Sequence, residues 1–184
     1  LLGFCIYLGV YLATFITSAQ PSQSAPSSKS PGSQNTRQCQ ELTEAGKLQA
    51  ALPFCEEALA ESNRQNGARH PRTSEPRANL AYLHFQRGDY EAAERLYREV
   101  IQSLAPMHEQ FQFQIVMMKT ALAAALDSQG KYPQVEEAYQ QAITMLSKSE
   151  PSNAKQLVPV ISNLAEFYRS QGKYDLAEST LQEA

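Results

Sequence analysis

The side chains able to do chemistry are three histidines (His70, His84, His108), three cysteines (Cys5, Cys39, Cys55) and adjacent acids such as Glu56-Glu57 and Glu136-Glu137. A nucleophilic triad needs a Ser or Cys, a base and an orienting acid in reach of one another, and no histidine here has such a set at a suggestive spacing. His70 precedes Pro71 in a loop, His84 falls near the end of a helical pattern, and His108 follows Pro106-Met107. The paired acids lie on the solvated faces of helical patterns. No His or carboxylate stands at ligand spacing from the cysteines, so no metal centre is expected. The eight glycines are scattered singly rather than gathered into a phosphate loop. These residues predict no catalytic residue, no metal and no cofactor.

What does recur is a turn. Gln86-Arg87-Gly88-Asp89-Tyr90 is echoed by Gln129-Gly130-Lys131-Tyr132 and Gln171-Gly172-Lys173-Tyr174, with Ala45-Gly46-Lys47-Leu48 a weaker copy. The four glycines are 42 residues apart each time. A constant period of this length is the mark of a repeat solenoid. Apolar residues before each glycine (Leu80, Ala81, Leu83) and after it (Ala93, Leu96, Tyr97, Val100) recur at three and four, the period of an amphipathic helix. Glycine between them suits the left-handed residue that closes a helix. Each unit therefore reads as helix–turn–helix, with helices predicted over 36–45, 48–65, 74–87, 90–104, 110–128, 132–148, 153–170 and 174–184. Tyr90, Tyr132 and Tyr174 recur with the period and are expected in the core.

The small positions Ala81, Ala123 and Ala165, the turn Gly-Lys/Asp-Tyr, then Ala93/Val135/Ala177 and Tyr97/Tyr139/Leu181, resemble the tetratricopeptide repeat. The 42-residue period, with His70-Pro71-Arg72-Thr73 leading into Asn79-Leu80-Ala81, is similar to the kinesin-light-chain subtype of that repeat. The resemblance spans roughly residues 36–184, and its first copy departs from it, as an N-terminal cap would. It implies an all-α, right-handed α-α superhelix with repeats at about 35–72, 73–107, 108–149 and 150–184, whose first helices line a concave face. In the family an Asn one position before the Leu-Ala pair holds the backbone of an extended peptide. That role carries over to Asn79 and Asn163, whose alternative is hydrogen bonding at a helix start or between repeats; Arg37 and Ala121 break the series. The same helices would turn Tyr82, Phe85 and Gln86, then Thr120, Ala124 and Asp127, then Ser162, Glu166 and Arg169 toward a protein or peptide ligand.

Cys39 and Cys55 flank Gly46. If the helices on either side run antiparallel, the two face each other, and a disulfide and a pair of small buried packing residues are both open readings. An exported protein would meet the redox condition for the bond.

Export is the expectation from residues 1–19, which hold no charged residue. The segment reads either as a signal peptide cut after Thr17-Ser18-Ala19 or as a membrane anchor. Residues 20–34, with three Pro and six Ser, read as a disordered linker. Net charge is −3 and charged residues make up 19%. The one basic cluster (Arg64, Arg69, His70, Arg72, Arg77) lacks interleaved aromatics, so no nucleic-acid partner is expected. Leu1 is preceded by no Met, and the last helical pattern stops unfinished at Ala184, so further sequence is expected at both ends. The function expected is non-enzymatic protein or peptide binding outside the cytoplasm, in the periplasm, extracellular space or on a membrane tether. The alternative is the regulatory arm of a larger enzyme, such as a caspase-like protease.

Overall fold

The computed structural model describes residues 31–148 and 154–182. The apolar segment 1–19 and linker residues 20–30 lie outside the described residues. Within them are eight α-helices and no strand: α1 (Pro31–Glu44), α2 (Leu48–Asn66), α3 (Ser74–Gln86), α4 (Tyr90–Leu104), α5 (His108–Asp127), α6 (Tyr132–Ser147), α7 (Ala154–Ser170) and α8 (Tyr174–Gln182). Single 3-10 turns at Pro71–Thr73 and Ala105–Met107 precede α3 and α5. Two compact units result, one up to Leu104 and one from Ala105 onward. In the first, α1 packs on α2, α2 on α3 and α3 on α4, and α1 also touches α3. In the second, α5 packs on α6, α6 on α7 and α7 on α8.

The periodic glycines turn the chain by one mechanism. Gly46, Gly88, Gly130 and Gly172 have φ of 70°, 81°, 71° and 72°, a region that costs an L side chain energy and glycine almost nothing. At Gly88 the amide N–H bonds Phe85 O at 3.0 Å, and the following Asp89 N–H reaches back to His84 O at 2.9 Å. The same two bonds close α1, α5 and α7. This pairing satisfies carbonyls that a helix end leaves open and reverses the chain within three residues.

Packing follows the apolar period. On α4, Ala93, Leu96, Tyr97, Val100 and Leu104 are buried; on α6, Val135, Ala138, Tyr139, Ala142 and Leu146. Facing them, Ala81 and Ala123 are fully buried and small enough for helices to approach closely. Cys39 on α1 and Cys55 on α2 form a disulfide with Cα atoms 4.9 Å apart, so the bonded alternative holds.

Three expectations are corrected. Helix α1 begins at Pro31 rather than 36, so residues 31–34 are helical instead of linker. Helix α5 begins at His108 rather than 110, with non-helical angles at Phe111 (φ −111°, ψ 20°) that kink its first turn. The recurring post-glycine tyrosines are not core: Tyr132 is 41% and Tyr174 67% exposed. Standing first in their helices, they sit on the rim. Tyr132 lays its ring 5.9 Å from Phe167, and Tyr90 packs edge-on against Phe85 at 5.5 Å.

Candidate peptide-binding surface

Helix α3 is enclosed on several sides, with Ser74, Pro76, Arg77, Ala78, Asn79, Leu80, Ala81, Leu83 and Phe85 buried. Arg77 is anchored rather than available: its Nη2 donates to the Ala68 carbonyl and its Nε lies 3.2 Å from Glu99 Oε2. Burial lowers the guanidinium's proton affinity, and Glu99 opposes that shift. Ser74 and Ser103 hydroxyls meet at 3.1 Å, tying α3 to α4. Two more members of the basic cluster are engaged internally, with Arg64 on Glu57 and Glu61 at 2.7 and 2.6 Å and the His70 Nδ1 accepting from Arg72 N.

On this rigid helix, Asn79, Tyr82 and Gln86 lie three and four residues apart, hence on one face. Gln86 Nε2 donates to the Tyr82 hydroxyl at 2.5 Å, and both residues are half-buried. Asn79 is 5% exposed, and its Nδ2 has no acceptor among the described residues. A buried donor left unpaired costs about 1–3 kcal/mol. Phe85 is buried against Tyr90.

In the second unit, Thr120 and Ala124 on α5 are buried, and the Thr120 hydroxyl donates back to Val116 O at 3.1 Å. Asp127, the last residue of α5, is half-buried, and burial holds its carboxyl above the usual aspartate range. On α7, Ser162 is exposed and Asn163 half-buried, while Glu166 and Arg169 form an exposed forked ion pair at 2.7–2.8 Å. That pairing lowers the Glu166 carboxyl. The eleven candidates therefore divide. Asn79, Phe85, Thr120 and Ala124 are enclosed, and Tyr82, Gln86, Asp127, Ser162, Asn163, Glu166 and Arg169 reach solvent.

Sequence reasoning did not single out the buried hydroxyl of Tyr139. The Tyr139 phenol is fully buried on α6, its hydroxyl has no partner among the described residues, and desolvation with the Asp127 charge raises its pKa. A signal was present, since residue 139 is one of two periodic positions that keep Tyr. That its hydroxyl would be left without a partner was not readable from the period.

Antiparallel helix pairs closed by left-handed glycines at a 42-residue period define a helical-repeat solenoid. Residues 42–104 and 160–184 each match a tetratricopeptide repeat family, and the chain is a tetratricopeptide-repeat protein. Repeats of this kind are protein-interaction modules, and neither family is a catalytic one. Among solved structures, BtubC (BKLC) from P. vanneervenii matches with a TM-score of 0.71 at 16% identity, covering 95% of this chain and 69% of its own. At that identity the likeness is one of fold. A comparison with curated proteins finds no match.

Proposed function

We propose that the chain is an exported scaffold that binds an extended peptide segment of a partner protein along the first helices of its repeats. The observation that carries this reading is Asn79. Its amide donor is buried without an acceptor, one turn from the half-buried Tyr82–Gln86 pair. A ligand backbone carbonyl would supply the missing bond, and Tyr82 would cover it with apolar area. Because Nδ2 is shielded from water, that carbonyl would displace a neighbouring side chain to reach it. Asn163 on α7 offers a second amide with more exposure. The charge-free segment 1–19 and the Cys39–Cys55 bond both support a place outside the cytoplasm, where thiols oxidise.

The test is a random dodecapeptide library selected on the purified chain, followed by fluorescence anisotropy with the selected peptide. Asn79→Ala and Asn163→Ala should each weaken binding about 3- to 10-fold, as loss of one hydrogen bond implies. A selected peptide whose affinity ignores both substitutions would place the binding surface elsewhere. For export, recovery of the protein only from the cytoplasm of a host carrying the segment would refute the compartment.

A further inference from the structure

The basic cluster of the sequence divides once the chain is folded. Arg64, Arg77 and the His70 ring are engaged, while Arg69 and Arg72 stand exposed with no ion pair among the described residues. Elsewhere in this unit Arg87, Arg95 and Arg98 each lie within 3.8 Å of a carboxylate, on Asp89, Glu99 and Glu94 respectively. Glu75, the nearest acid along the chain, pairs with neither Arg69 nor Arg72. Nor does the turn require arginine. The junction before α5 makes a 3-10 turn of the same length, Ala105–Met107, without one.

What the fold does secure is the backbone beneath these two side chains. Gly67 O accepts from His70 N at 3.2 Å and from the buried Thr73 hydroxyl at 3.0 Å. His70 O accepts from Thr73 N at 2.9 Å, and Ala68 O takes the buried Arg77 guanidinium. Ser62 of α2 donates to the Thr73 hydroxyl at 3.2 Å, and Pro71 fixes a further backbone angle. The loop 67–73 is therefore exposed yet preorganised, and a ligand would spend little free energy ordering it. Chain geometry keeps the Cα atoms of residues 69 and 72 no more than about 11 Å apart. Between them in the chain, His70 accepts at Nδ1, which leaves Nε2 as the donor of the neutral ring.

We propose that the 67–73 loop is a docking point for an acidic segment of a partner protein, whose carboxylates are taken by Arg69 and Arg72. A guanidinium is a planar fork that meets a carboxylate in two parallel bonds, so two arginines on one short loop suit two acids of one short segment. A lipid surface or a nucleic-acid backbone is a poorer match. Anionic headgroups are read by clusters of about four to eight basic residues, and a phosphate backbone by a longer basic stripe. The loop is a contact at the α2–α3 junction, separate from the first-helix face, and does not rest on the peptide-binding reading above.

The experiment measures the anisotropy of fluorescein-labelled hexaglutamate, hexaglutamine and hexalysine on the whole chain at low salt, where exposed charge pairs are least screened. Wild type should bind hexaglutamate more tightly than hexaglutamine. Arg69→Gln with Arg72→Gln should weaken hexaglutamate binding at least about 10-fold, as loss of two charge-assisted contacts implies. Lys47→Gln with Arg95→Gln removes as much exposed charge from the same unit and should leave that binding nearly unchanged. Equal loss in both double variants would reduce the effect to net charge and overturn the site. Arg69→Glu with Arg72→Glu should reverse the preference toward hexalysine, a gain that unfolding cannot produce; no reversal would also overturn the proposal. So would binding of phosphatidylserine vesicles or of a phosphoserine peptide that depends on residues 69 and 72 while hexaglutamate is ignored. The Gln pair should melt with wild type, since no internal partner is lost. A clear drop would show that the arginines serve the fold instead.

Discussion

Cys39 and Cys55 are bonded across α1 and α2 at the register positions that hold Ala81 and Tyr97 one period later and Ala123 and Tyr139 two periods later. All six residues are at most 1% exposed. In the second and third repeats a small residue on the first helix leaves room for a tyrosine on the second. The first repeat has two short side chains there and closes the helix pair with a covalent bond. The disulfide thus occupies the place of an aromatic core contact.

Cys39→Ala with Cys55→Ala is accordingly expected to lower the melting temperature, with a stability loss of about 3 kcal/mol for a loop of roughly 15 residues. Circular dichroism melts give the comparison. An unchanged melt would mean that the bond adds nothing to packing. Alkylation before and after reduction of the denatured chain should label Cys39 and Cys55 only after reduction.

Ala81→Leu and Ala123→Leu add three carbons where the alanine is completely enclosed. Forcing extra methylenes into a packed core costs about 1–3 kcal/mol. Both variants should melt lower, and far-UV signal or melting temperature unmoved by either would contradict close helix crossing at these positions.

Gly88→Ala isolates backbone cost. A Cβ there would meet nothing within 4 Å, so only the φ of 81° resists it. The expected loss is about 1–2 kcal/mol. Gly88→Asn should lose less, since Asn adopts left-handed angles more readily, and equal stability of the two variants would reject this account.

Asp127 gives a pH signature. Its pKa is raised in the fold from 3.8 by burial, so the folded state holds the proton more tightly than the unfolded chain. Tyr139, its neighbour on α6, stays protonated throughout because its own pKa is raised. The favourable contribution is complete below about 3.8 and is lost as pH rises through the folded value. Melting temperatures of wild type and Asp127→Asn should therefore converge near the acid end and separate above it, with the Asn variant the more stable. A constant gap across that range would show that Asp127 does not titrate as a buried, unpaired acid.

Much of the fold was legible because its determinants are local and periodic. A left-handed glycine every 42 residues, flanked by apolar residues at three and four, dictates helix pairs whatever surrounds them. Helix bounds came within a few residues for the same reason. The helical residues 31–34 escaped because Ser- and Pro-rich composition reads as linker, while a helix packed on its neighbours can extend into such a stretch. The tyrosines show the other limit. Periodicity marks that Tyr90, Tyr132 and Tyr174 recur, but not whether a recurring residue lies within a helix pair or on its rim.

The amino-acid sequence by itself determined the repeat, its period and the all-helical class, since each follows from spacing along the chain. Tertiary structure alone decided which candidates are reachable. It enclosed Phe85, Thr120 and Ala124, left Asn79 and the Tyr139 hydroxyl without hydrogen-bond partners among the described residues, and set Arg77 on Glu99. Those outcomes depend on what one helix meets on another. Burial and partnering are properties of pairs of helices, and no pattern within a single helix encodes them.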